Sequence, residues 1–222
     1  MSEPSKNDEE TNYDWLEPAE GWHVLHLFYQ IDRTQWSMFG EDEQLSAKTE
    51  LTRLIQEIRS TENTQLLTFS MVTPKADIGF MLLTPDLHTA NAFEKRLTAA
   101  LGPDILVPCY SYLSITETGE YMTSPEEYGA NTLVGERGMD ADSEEYRAAL
   151  SEFATHMEKY RHDKLYPNMP DWPVFCFYSM AKRRGEVHNW YALDFDTRKK
   201  LMAGHGRVGR QWAGKIRQLI TG

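Results

Sequence analysis

The chain has 222 residues, 41% hydrophobic and 12% aromatic, with a formal net charge of −11. That size supports one large domain or two smaller halves around a bulky core, and the acidity excludes a general nucleic-acid binder. No apolar run approaches the ~20 residues of a membrane span, and the opening MSEPSKNDEETNYDW has no secretory h-region, so a cytoplasmic protein is expected. Cys109 and Cys176 each lie in an apolar run and are expected to be buried free thiols.

Residues 1–18 are polar and acidic and read as a disordered tail. Residues 21–31, GWHVLHLFYQI, read as a first strand. His23 and His26, three apart, then point to opposite faces and cannot share a metal, so they are read as structural. Leu51, Leu54, Ile55 and Ile58 place an amphipathic helix over 34–60. Residues 65–72 and 77–83 are strands joined by TPKA. A second helix over 86–101 carries Leu87, Ala90, Phe93, Leu97 and Leu101, stops at Gly102-Pro103, and precedes a strand over 105–115. This order makes 19–115 a ferredoxin-like half. Residues 116–171 read as a turn-rich connection with one helix over 144–161. A strand at 174–180, a helix at 195–204 and a strand at 215–221 then begin a second ferredoxin-like unit over 172–222.

Charge is uneven: residues 1–20 hold seven acids and one lysine, while 181–222 hold ten bases and three acids. Bases gathered near a site in an acidic protein suggest an anionic ligand. Arg198, Lys199 and Lys200 read as no more than a solvated helix face. His205, between Gly204 and Gly206 at the expected helix end, is the one histidine with a neighbourhood suited to presenting it. The glycines let a large planar partner approach, and heme iron commonly takes a neutral imidazole. A capping histidine satisfied by backbone carbonyls is the alternative. Residues 204–209 also match G-x-G-x-x-G, but a helix precedes and a strand follows, the reverse of a dinucleotide site. On the 174–180 strand, alternation puts Cys176, Tyr178 and Met180 on one face. Lys182, Arg183 and Arg184 follow as a cationic cluster suited to carboxylates. Arg217 and Gln218 face opposite ways, and whichever points inward meets the ligand.

The strings FYSMAKRR and NWYALDFDTRKKLMAGHGRVGRQWAGKIRQLITG, with GWHVLHLFYQID, KADIGFMLL and VPCYSYLSITE upstream, resemble the chlorite dismutase-like family, and more closely its coproheme decarboxylase branch. The resemblance implies an α+β fold: a dimeric α+β barrel of two ferredoxin-like halves, the second truncated at the C-terminus, since the family continues through a further strand, helix and strand. It implies His205 as proximal iron ligand, Tyr178 as the catalytic tyrosine that becomes a radical, and Lys182 as its basic partner near the reacting propionate. Gln218 takes the distal position, where chlorite-degrading members have arginine. Lys164 falls where a propionate-binding arginine is usual, Met180 lies beside the porphyrin, and Arg184 joins the substrate-binding cations. Ser179 stands where the family usually has proline. The implied reaction is hydrogen peroxide-dependent oxidative decarboxylation of two propionates of Fe-coproporphyrin III (coproheme) to heme b, the substrate serving as its own redox cofactor. Chlorite dismutation, heme peroxidation and non-catalytic porphyrin binding are the alternatives. The resemblance also implies a homo-oligomer, a pentamer in the family.

Overall fold

A computed structural model describes residues 18–222. The acidic tail expected over 1–18 lies, apart from Pro18, outside the described residues. The chain divides into two compact units, one ending at Thr116 and joined by Thr221–Gly222, the other spanning Glu117–Ile220.

The first unit follows the order β1 (His23–Ile31), α1 (Arg33–Met38), α2 (Glu41–Ser60), β2 (Gln65–Ser70), β3 (Ile78–Thr84), α3 (Leu87–Ala99), β4 (Leu106–Ile115). Its strands form one antiparallel sheet in the order β2-β3-β1-β4, with His26 opposite Met81 on one side and Tyr112 on the other. This is the ferredoxin-like arrangement, and the fold is α+β. Alternation along β1 sends Leu27 and Tyr29 toward the helices, where they pack with Phe80 and Leu82 of β3. The predicted helical stripes close this layer: Leu54 and Ile58 from α2, Ala90, Phe93 and Leu97 from α3. The opposite sheet face, with Val24, His26, Met81 and Leu83, is buried as well.

One predicted helix is two. Between α1 and α2 the chain extends at Phe39 (φ −76°, ψ 135°), and the Gln44 amide donates to the carbonyls of Trp36 and Phe39 at 3.1 and 3.2 Å. The Glu43 carboxylate then accepts the Gly40 N–H at 2.8 Å, starting α2 afresh. A two-pronged ion pair, Arg96 to Glu57 at 2.6 and 2.7 Å, ties α3 to α2. The turn after α3 needs glycine. Gly102 has φ +114°, and a Cβ there would press on the Phe39 ring.

The cysteine expectation is corrected. Cys109 and Cys176 are both exposed free thiols. Cys109 lies on β4, an edge strand whose residues 107–113 are all exposed, and apolar neighbours in sequence do not bury a residue on a strand covered on neither side.

In the second unit α4 (Pro125–Glu127) runs directly into a nine-residue π-helix, Tyr128–Glu136, followed by α5 (Glu144–Leu165) and α6 (Phe195–Arg210). Gly129 admits the Tyr146 hydroxyl, which a Cβ would strike, and Tyr128 stacks on Phe153 at 3.9 Å. The strands expected at 174–180 and 215–221 form no ladder; of these residues, among those described, Thr221 alone bridges, antiparallel to Thr116. Alternating apolar residues make a strand only beside a hydrogen-bonding neighbour, and among the described residues no named strand runs along these segments.

Candidate functional site

α6 begins where the sequence signals it. The Asp194 carboxylate accepts the Thr197 N–H at 2.9 Å and its hydroxyl at 2.7 Å, which holds the carboxyl below its usual range. Asp196 lies in the first turn, with Arg207 and Arg210 in the last, matching the helix dipole. The helix does not end at Gly204. It runs on through Gly204, Gly206 and Gly209 to Arg210, so His205 is an interior helical residue rather than a cap. Favourable ends and an unbroken ladder outweigh roughly 1 kcal/mol of propensity per glycine. Around His205 the backbone is bare: a Cβ at Gly204 or Gly209 would meet nothing within 4 Å, and one at Gly206 only Arg210 at 3.9 Å. The exposed imidazole has no hydrogen bond or ion pair among the described residues.

The basic hook folds back on itself. The Trp190 N–H donates to the Arg183 carbonyl at 2.9 Å and the Gly185 N–H to that of His188 at 3.0 Å, closing a tight hairpin. Its cations lie on aromatic faces, Lys182 at 4.5 Å over Trp190 and Arg184 at 4.1 Å over Tyr191. The Lys182 ammonium also reaches the Met202 sulfur at 3.6 Å. Met202 precedes His205 by three residues, so the methionine that Lys182 touches lies on the same flank of α6 as the histidine, about one turn back.

The other predicted residues are less gathered. Tyr178 and Met180, 58% and 75% exposed, and Gln218, also exposed, make no hydrogen bond or ion pair among the described residues. Arg217 donates to the Asp163 carbonyl at 3.4 Å. α5 extends past the predicted Arg161, which places Lys164 on its last turn, 5.3 Å over the Tyr160 ring.

The solvated face assigned to Arg198 and Lys199 is corrected too. Lys199 donates to both Glu127 oxygens at 2.6 Å, and Arg198 lies 5.9 Å over the Tyr121 ring and 3.8 Å from Glu120. Their side chains are only 25% and 23% exposed. Sequence reasoning missed Glu120, Tyr121 and Glu127, although Ser124-x-x-Glu127 is a legible capping box.

Residues 44–222 match the family model described as chlorite dismutase. The chain belongs to the chlorite dismutase family. It is 32% identical over 209 residues to a coproheme decarboxylase of Staphylococcus saprophyticus, covering 93% of this chain and 74% of that protein. Among solved structures, a heme-binding protein from Thermus thermophilus aligns with a TM-score of 0.71 at 30% identity, over 93% of this chain and 74% of that one. A chlorite dismutase from Candidatus Nitrospira defluvii, in complex with imidazole, shares the fold at 13% identity, with a TM-score of 0.52 over 92% of this chain and 75% of that one.

Proposed function

We propose that this chain binds an iron porphyrin through His205 and acts as a coproheme decarboxylase in heme synthesis. The observation that carries the reading is the exposed, unengaged imidazole on a helix flank kept bare by three glycines. The donor set fits. No group of three or more His, Cys, Asp or Glu among the described residues could hold an ion, whereas an iron bringing four ring nitrogens needs one protein nitrogen. The 32% identity to a coproheme decarboxylase supports the chemistry.

Bound coproheme would supply redox-active iron at which hydrogen peroxide is reduced. Each turnover converts a propionic acid and one peroxide into a vinyl group, carbon dioxide and two waters, so electrons and atoms balance. Lys182 and Arg184 would hold propionates, and Lys164 would add a point charge. Tyr178 would pass an electron and a proton from the propionate side, and Met180 would line the ring edge. Gln218 is the proposed distal residue; being neutral, it stabilises an oxyanion less than an arginine would and so disfavours chlorite chemistry. No helix among the described residues is long and apolar enough to cross a membrane. A cytoplasmic location and assembly as a homo-oligomer belong to the proposal.

Titration with ferric coproporphyrin III tests the ligand. The chain is expected to give a histidine-ligated ferric spectrum, lost in His205→Ala and restored by added imidazole. A spectrum indifferent to the substitution refutes the reading. The 30% identity to a heme-binding protein favours one second reading, a carrier without turnover. Peroxide titration separates the two: decarboxylation lowers porphyrin mass by carbon dioxide and two hydrogens per propionate, and a carrier leaves it unchanged.

A further inference from the structure

Residues 117–136 carry none of the groups assigned to chemistry above, yet they touch the start of α6 and the support beneath Lys182. Glu127 is placed before it meets α6. Its N–H donates to the Ser124 hydroxyl at 3.2 Å, its carboxylate accepts the Ser124 N–H at 3.3 Å, and the π-helix starts at the next residue. Lys199 then donates to both carboxylate oxygens at 2.6 Å, holding that carboxyl below its ordinary range.

Six residues earlier, Tyr121 fills the angle between the hairpin and α6. Its ring leans on Phe195 at 5.5 Å, meets Trp190 edge-on at 6.2 Å and lies beneath the Arg198 guanidinium at 5.9 Å. The other relevant face of that cluster is occupied by Lys182, 4.5 Å over Trp190. Ring packing and charge fasten this corner, with Glu120 and Trp190 the polar neighbours of the Tyr121 hydroxyl.

The geometry of α6 turns these contacts into a lever. At about 3.6 residues per turn, Arg198 and His205, seven apart, lie on one face roughly 10 Å along the axis. With α6 closed, its ladder runs unbroken from Arg198 through His205, so in that state a rotation or slide at Arg198 and Lys199 is carried to the imidazole. The same displacement moves Met202, against which the Lys182 ammonium rests, while Trp190, the other support of Lys182, meets Tyr121 of the strap directly.

We propose that residues 117–136 form a strap that sets the rotation and axial position of α6, with the Glu127–Lys199 pair as its fixed point. The strap is a positioning device for His205 and Lys182, and it rests on the reading that His205 ligates porphyrin iron. Freeing it leaves the imidazole present but misaligned with the iron.

The test uses the full chain with ferric coproporphyrin III, comparing Glu127→Gln, Lys199→Glu, and Glu127→Lys combined with Lys199→Glu. Dissociation constants, the iron–imidazole stretching frequency of the reduced complex and thermal melts are read together. Glu127→Gln removes the charge with almost no change of shape and leaves the fold intact. It is expected to weaken binding roughly fivefold, the lower end of coupling between distinct sites, and to shift the iron–imidazole frequency. Lys199→Glu does the same more strongly, and the charge-exchanged double variant recovers both readouts. A merely structural ion pair would move the melt and leave the frequency alone. Wild-type affinity and frequency in Glu127→Gln, or no recovery in a folded double variant, overturns the strap. His205→Ala is run beside them. If it abolishes the axial signature while Glu127→Gln leaves it unmoved, the strap alone falls; if it too changes nothing, the ligand assignment falls and takes the strap with it.

Discussion

Replacing Tyr178 by phenylalanine is expected to cut peroxide-driven decarboxylation by about a hundredfold to ten-thousandfold, the usual cost of removing a positioned proton-transferring group. The substitution is clean because of where the side chain lies. Tyr178 is 58% exposed, and its hydroxyl has no hydrogen bond among the described residues, so folding loses nothing that depends on it. Stability should stay within about 0.5 kcal/mol and ferric coproporphyrin affinity should hold. Separating the vinyl product from starting porphyrin by chromatography at fixed peroxide gives the rate. Turnover at the parental rate would remove Tyr178 from the reaction and leave the ring to oxidise its propionates by another route.

The second large effect is in acid. Burial pulls the His26 imidazole from its ordinary value of 6.5 down to about 4, against a hydrogen bond with the Tyr112 backbone that raises it. The residue is 4% exposed in the middle of β1, opposite Met81. In the unfolded chain the ring takes up a proton near pH 6.5, but in the folded chain only near 4. Between those values the unfolded state binds more protons, so stability rises with pH across the window. What the neutral ring contributes is complete above about pH 6.5 and is lost as pH falls toward 4, roughly 3 kcal/mol in all. Carboxylates held below their ordinary range, Asp77 by the Ile31 N–H and Arg33 and Glu57 by Arg96, add their own losses at lower pH. Urea melts from about pH 7 to about 4.5 therefore report mainly on His26, and His26→Gln should flatten them. An unaltered slope in that variant would assign the acid sensitivity elsewhere.

The first unit is legible because its signals are local. Leu54 and Ile58, and Ala90, Phe93 and Leu97, recur at helical spacing, and each is buried where that spacing puts it. The break at Phe39-Gly40 is not, because a glutamine five residues on from Phe39 closes the first helix. Alternation predicts strands at 174–180 and 215–221, yet a ladder depends on what lies alongside, which no single segment encodes. For the same reason Cys109 reads as a core residue: its neighbours are apolar, but its strand is at the sheet edge. At the site, the glycine-flanked histidine and basic hook are visible as composition. The pairing of Lys199 with Glu127 joins residues 72 apart, and only the fold converts a supposed solvent face into a clamp.

The glycines of α6 have an energetic consequence. Three of them within six residues cost that stretch about 3 kcal/mol against alanine, on a helix with no fully buried side chain. The last turns are held by little beyond their own ladder, so they open more readily than α2, which Leu54 and Ile58 anchor in the core. Any ligand that grips this turn must first offset the cost of ordering it, and its measured affinity is lower than its contacts alone would give. Alanines would remove that penalty, but their methyl groups would occupy the space now open beside the ring.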